Sequence, residues 1–145
     1  MPEKETLERA EEDKEEGKAP STQAGEFVRD EIEHVREGKH GARSTKQAIA
    51  IGLSKARRAG VDLPPPKKGS KKTRKQAARD LKKGKKKSAR KSAKRSRATS
   101  RALKREGHSA ASKRALSRQA RSAAKKRSAA SRSRSAKKAA KTRKK

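Results

Sequence analysis

The sequence contains no cysteine, no tryptophan and no tyrosine, and its one aromatic residue is Phe27. Without cysteine there is no disulfide, no thiolate metal site and no cysteine nucleophile, which fits a reducing compartment. Large apolar residues are scarce too: Leu, Ile, Val and Phe together number 13 of 145. A highly charged chain with less than about 20% of these residues cannot bury enough apolar surface to offset its conformational entropy, and is expected to be disordered. No apolar run approaches the ~18 residues that a membrane-spanning helix needs. The first residues, "MPEKETLERAEEDKEEGK", are acidic and lack the apolar centre of a secretory signal.

Catalytic constellations are absent as well. The histidines are His34, His40 and His108, and the many serines have no histidine–acid partner pattern. The carboxylates fall on faces that read as solvated, with no apolar pocket to shift a pKa. His34 and His40 straddle Gly38, and Glu37 would be the third member of a metal set. Without a further ligand at metal spacing they read as two surface histidines. The sequence therefore predicts no enzyme, no cofactor, no metal and no small-molecule substrate.

What is present is charge, unevenly placed. The net charge is +31. Residues 1–66 carry 14 acidic and 12 basic side chains, whereas residues 67–145 carry 2 acidic and 35 basic. Pro64, Pro65 and Pro66 stand at the boundary. A proline run favours a stiff extended spacer and cannot continue a helix. The expected organisation is an acidic arm over 1–18, a helical unit over 19–63, a proline linker over 64–66 and a disordered basic tail over 67–145. The arm offers only Leu7 and Ala10 as an apolar face and reads as frayed helix or coil. Its charge predicts that it folds back on the tail and competes with nucleic acid.

The middle unit is the apolar part. Ala24, Val28, Ile32 and Val35 share one helical face, flanked by Phe27, after a start near Ser21 or Thr22. A polar turn follows. Ser44 and Gln47 then match the S-x-x-Q capping box. Ile49, Leu53, Ala56 and Gly60 form the next stripe, flanked by Ala48, Gly52 and Ala59. Gly52 leaves room for a second backbone, and Gly60 suits a left-handed helix end. The pattern predicts an αα-hairpin, about 21–37 and 44–59. Nine large apolar side chains between Phe27 and Leu63 are few for a unit of about 40 residues, so outside help is expected from a docking surface or from homo-oligomerisation through residues 21–63. The glycine-rich turn "EGKHGARST" with Lys39 and Arg43 could hold one phosphate, but it lacks the Walker order and reads first as a connector.

The overall expectation is a mostly disordered chain with a small all-α N-terminal part. In the tail, nascent helices are expected at about 72–82, 93–105 (start at 93) and 110–130, with Ser109 as a cap, formed when phosphates neutralise the charge. Thirty-five cations against two anions are an electrostatic footprint for a polyanion. The candidate nucleic-acid contacts are Lys71, Lys72, Arg74 and Lys75, then Lys82, Lys83, Lys85, Lys86 and Lys87. They continue through Arg90, Lys91, Lys94, Arg95, Arg97 and Arg101. The last group is Lys113, Arg114, Arg118, Arg121, Lys125, Lys126 and Arg127. Binding should be sequence-independent, because these side chains meet phosphates and no rigid element positions them on bases. The tail has no aromatic residue for base stacking.

The segment "EGKHGARSTKQAIAIGLSKARRAG" resembles the core of an uncharacterised family of small bacterial and phage proteins that share a glycine-lysine turn and a KQAIAI-x-LS-x-AR helix. That likeness spans about residues 19–63 and implies no known activity. The tail resembles the Lys/Ala/Ser-rich arms of linker histones and bacterial histone-like proteins, which implies DNA coating and compaction. Together these features predict a non-enzymatic, nucleoid-associated protein of the bacterial cytoplasm. An RNA- or ribosome-associated protein is the alternative, and an anionic-membrane binder is disfavoured because the tail lacks large inserting apolar residues.

Overall fold

A computed structural model describes residues 2–86 and 92–144. Among the described residues there are seven α-helices, one 3-10 turn and no strand. The helices are α1 (Lys4–Glu15), α2 (Pro20–Arg36), α3 (Thr45–Arg58), α4 (Lys71–Lys85), α5 (Ala93–Lys104), α6 (Lys113–Lys125) and α7 (Ala129–Arg143). The 3-10 turn is Ser109–Ala111. The expectation of a mostly disordered chain with a coil-like tail is therefore corrected: the basic half is helical through α4, α5, α6 and α7.

The hairpin forms close to where the periodicity puts it. α2 starts with Pro20 at its first position, after Ala19, rather than at a Ser21 or Thr22 cap. Proline suits that position because the first N–H groups have no intrahelical partner. α3 starts at the expected cap: Ser44 Oγ accepts from the Gln47 N–H at 3.2 Å. The reciprocal bond of a capping box goes one residue further back, from the Arg43 N–H to Gln47 Oε1 at 2.7 Å. Gly60 adopts φ +104°. Its N–H bonds to the Arg57 carbonyl while that of Val61 reaches the Ala56 carbonyl, closing α3 in a Schellman motif.

The packing face of α3 differs from the expected stripe. Its buried line is Thr45, Ala48, Gly52 and Ala56, while Ile49, Ile51 and Leu53 sit half-buried on its shoulders. Small residues let α2 come close: a Cβ on Gly52 would lie 2.7 Å from Val28 Cα. Around this seam are two apolar clusters. One joins Ala10 of α1, Ala24 and Phe27 of α2, Ala56 of α3 and Val61, with Leu7, Leu53 and Leu63 against it. The other joins Ile32 and Val35 of α2, Ala42, Ala48, Ala110 and Ala111, with Val28 and Leu116 against it.

The outside help that the hairpin needs comes from the chain itself. α1 is a helix that packs on α2 through Leu7 and Ala10, not a loose arm. The ion pairs of residues 3–18 run within that stretch or to Glu26, His34 and Lys39. α4 packs on α3, burying Ala77 and Asp80. At the far end of α4 a Cβ on Gly84 would lie 2.0 Å from the Arg57 carbonyl oxygen, so only glycine permits this approach. Arg57 itself is buried, donating to the Leu63 and Pro64 carbonyls and holding the start of the proline run against α3.

Why the basic half is helical follows from its serines and alanines. α4, α5, α6 and α7 each begin at a serine whose hydroxyl accepts a backbone N–H: Ser70, Ser92, Ser112 and Ser128. Such a cap satisfies one orphan donor, and the alanine, lysine and arginine that follow have high helix propensity. Ser109 opens the 3-10 turn instead of capping α6. α5, α6 and α7 bury no residue; α6 lays the half-buried Leu116 against the second cluster, α5 is joined to the 38–44 turn through its Leu103 carbonyl, and α7 rests on its cap and propensity.

Candidate nucleic-acid interface

Only two acidic residues occur beyond the prolines, and both face cations of the first half. Asp80 of α4 is buried and takes Arg58 Nε at 2.8 Å, Ser54 Oγ at 2.7 Å and Gln76 Nε2 at 3.2 Å. Glu106, after α5, lies 4.0 Å from Arg43 Nε. The basic half thus turns its anions inward and leaves its cations outside.

The second attachment point of the basic half is built from backbone. The Gly41 N–H donates to the Leu103 carbonyl at 2.9 Å, and the Ala42 N–H to the Gly107 carbonyl at 3.0 Å. Thr45 Oγ1 donates to the Ala110 carbonyl at 2.6 Å, and Arg36 Nε to the Ala111 carbonyl at 2.8 Å. These four bonds fix the 3-10 turn, and with it the start of α6, beside the start of α3. Between the two helices runs an open groove of about 610 Å³. Arg43, Ser44 and Lys46 line one side; Ser112, Arg118 and Gln119 line the other. No carboxylate is among the residues lining it. Guanidinium, ammonium and hydroxyl groups at two capped helix starts are suited to phosphate oxygens.

The candidate contacts fall as follows. Lys71, Lys72, Arg74 and Lys75 are exposed on the first turns of α4, and Lys82, Lys83, Lys85 and Lys86 are exposed around its end. Lys85 Nζ lies 4.0 Å from Asp62 Oδ1, so it has an acidic neighbour. Lys94, Arg95, Arg97 and Arg101 are exposed on α5. Lys113, Arg114, Arg118, Arg121 and Lys125 are exposed on α6, with Lys126 just after it. Arg127 is turned onto α7, where it donates to the Ser131 carbonyl at 3.0 Å and to the Ser135 hydroxyl. Lys87, Arg90 and Lys91 lie outside the described residues. α7 adds exposed cations missing from the candidate set, among them Arg132, Arg134, Lys137 and Lys138. The same composition that singled out the others could have found them.

At the opposite side of the 38–44 turn lies a cluster of the other sign. Glu3, Asp30, Glu31, His34 and His40 come together there, and two overlapping triads among them place potential ligand atoms within 4.8 Å of one another. His34 and His40 are not surface residues: their side chains are 12% and 15% exposed. Nor is Glu37 their partner: His40 meets Glu31, which is fully buried, and His34 meets Glu3 and Asp30. The Glu3 carboxyl is held down at about 2, first by its hydrogen bond from Lys39 and then by that to His34. No helix of the described residues is long and apolar enough to cross a membrane.

Residues 14–68 match the model of a family of unknown function (DUF6496). The matched stretch runs from the end of α1 through α2 and α3 to the residues just before α4, so it takes in the hairpin and leaves the basic helices outside. No curated protein and no solved structure matches the chain.

Proposed function

We propose that the protein is a non-enzymatic, sequence-independent nucleic-acid binder of the bacterial nucleoid, with the hairpin as platform and α4, α5, α6 and α7 as the phosphate-contacting surface. One observation supports this above the others. Thirty-five of the 37 charged side chains beyond the prolines are cations, and of the two anions Asp80 is buried against Arg58 of the hairpin while Glu106 lies 4.0 Å from Arg43. A surface of this kind meets a polyanion through counterion release, whatever its base sequence. Exposed lysines and arginines distributed over four helices contact phosphates but do not position a donor on a base edge. Duplex DNA is the favoured partner, since no aromatic residue of the basic half can stack on an unpaired base. The KQAIAI-x-LS-x-AR helix of the hairpin then presents the basic helices.

The test is duplex-DNA binding by the full chain across a salt series, beside a structured RNA at matched salt. A steep log–log slope, about −0.9 per phosphate neutralised, with equal affinity for unrelated duplexes, is expected. Preference for the RNA would move the assignment to an RNA-associated protein. A shallow slope, or discrimination between duplex sequences, would overturn the proposal.

A further inference from the structure

Glu31 and His34 lie one turn apart on α2, and His40 reaches them from the turn that follows. Each offers one ligand atom, and the three lie within 4.8 Å of one another. The hydrogen bonding around Glu31 is incomplete. Its Oε2 takes Lys55 Nζ at 2.5 Å. Its Oε1 is buried and has no hydrogen-bond partner, although His40 Nε2 is only 3.0 Å away. The other nitrogen of His40 explains this. Nδ1 lies 2.9 Å from the Gly41 carbonyl oxygen, which can only accept, so Nδ1 carries the proton. Nε2 is then the nitrogen turned toward the buried Glu31 carboxylate. A ring nitrogen and a buried carboxylate oxygen at that distance call for a cation between them, a proton or a metal ion. Asp30 adds a second such carboxylate: its Oδ1 is 3.3 Å from His34 Nε2, and its other oxygen, Oδ2, is buried without a partner.

We propose that Glu31, His34 and His40 bind one divalent d-block cation, with Zn²⁺ the preferred ion. Two imidazoles and a carboxylate are the ligand set for such an ion, with a fourth position left for water. The N–H of His40 bonded to a backbone carbonyl is the outer-shell contact that fixes a ligating ring, and Asp30 and Glu3 lie against the ring of His34. Charge favours occupancy as well. Three carboxylates, Glu3, Asp30 and Glu31, meet two ammonium groups, Lys39 and Lys55. Hard, oxygen-seeking Mg²⁺ and Ca²⁺ gain little from two imidazoles. A bound ion would tie α2 to the 38–44 turn, whose Gly41 and Ala42 N–H groups hold the end of α5 and the segment after it.

The test uses the untagged full chain, stripped with chelator and titrated with Co²⁺ and then Zn²⁺. One ion per chain, visible bands of four-coordinate Co²⁺ and their loss on adding Zn²⁺ are expected, with no response to Mg²⁺ or Ca²⁺. His40→Gln and Glu31→Gln should each weaken Zn²⁺ binding by about tenfold or more. His108→Gln, outside the cluster, should leave it unchanged. His40→Gln lies in a turn and keeps the test valid if Glu31→Gln does not fold, with helical circular dichroism as the check. Absence of saturable binding, or affinity unchanged in His40→Gln, would overturn the proposal.

Discussion

Arg58 Nε donates to Asp80 Oδ1 across 2.8 Å, joining the last turn of α3 to α4. Asp80 is 1% exposed and has three donors, whereas the Arg58 side chain is 46% exposed. Removing the acid therefore leaves the arginine able to hydrate, and the loss falls on Asp80's own bonds. Asp80→Ala should destabilise the protein by about 1–3 kcal/mol. Hydrogen exchange should rise over residues 71–85 while α2 stays protected; equal loss of protection in both helices would show that α4 is not attached through this side chain.

Gly25 and Gly52 both sit inside helices of the hairpin but should respond oppositely to alanine. A Cβ on Gly25 meets nothing within 4 Å, so the substitution gains helix propensity, up to about 1 kcal/mol. A Cβ on Gly52 meets the Val28 backbone at 2.7 Å, so α2 and α3 must separate, at about 1–3 kcal/mol. Urea denaturation of the two variants reads both signs.

Ser112 starts α6 by accepting the Ala115 N–H at 3.1 Å. Ser112→Ala should cost about 1 kcal/mol and fray the first turn of α6. Faster amide exchange at residues 113–116, with α3 unchanged, is the expected pattern. Ser112→Asp should keep the cap.

Lys18 closes the α1–α2 connection onto Asp13 at 2.8 Å and Glu16 at 2.6 Å. Its ammonium is pushed above the ordinary 10.5, chiefly by the hydrogen bond to Asp13 and then that to Glu16. A raised pKa means a contribution fully present below 10.5, falling away only as pH rises through the higher folded value. A carbon-13 titration of the Lys18 side chain should run above that of a lysine model peptide. Coincident curves would refute the contact.

The hairpin was legible because its signals are local. The Ser44 cap, the Gly60 end and the room at Gly52 each depend on one or two neighbouring residues. The rotation of α3 was not legible: Ile49 and Leu53 looked like the core stripe, but close approach at Gly52 favours the small line Thr45, Ala48 and Ala56. α1 was misread because two apolar residues seemed too few, yet Leu7 and Ala10 suffice when Phe27 and Ala24 meet them. The basic helices escaped because their attachment is polar. α4 buries one alanine and one aspartate, a signature with no hydrophobic period. Glu31 escaped for a similar reason, since a glutamate on a charged helix reads as solvated until Lys55 and His40 are brought to it.

The serine starts of α4, α5, α6 and α7 bear on how this half tolerates sequence change. Where three of the helices bury no residue, lysine and arginine can be exchanged or shuffled among the exposed positions with little consequence for shape. The hydroxyls at Ser70, Ser92, Ser112 and Ser128 cannot move in the same way, because each sets where its helix begins. A library of variants should therefore show long permissive stretches of basic residues punctuated by a few restrictive serines, so that the phasing of the helices, rather than the identity of any one cation, is what the sequence has to preserve.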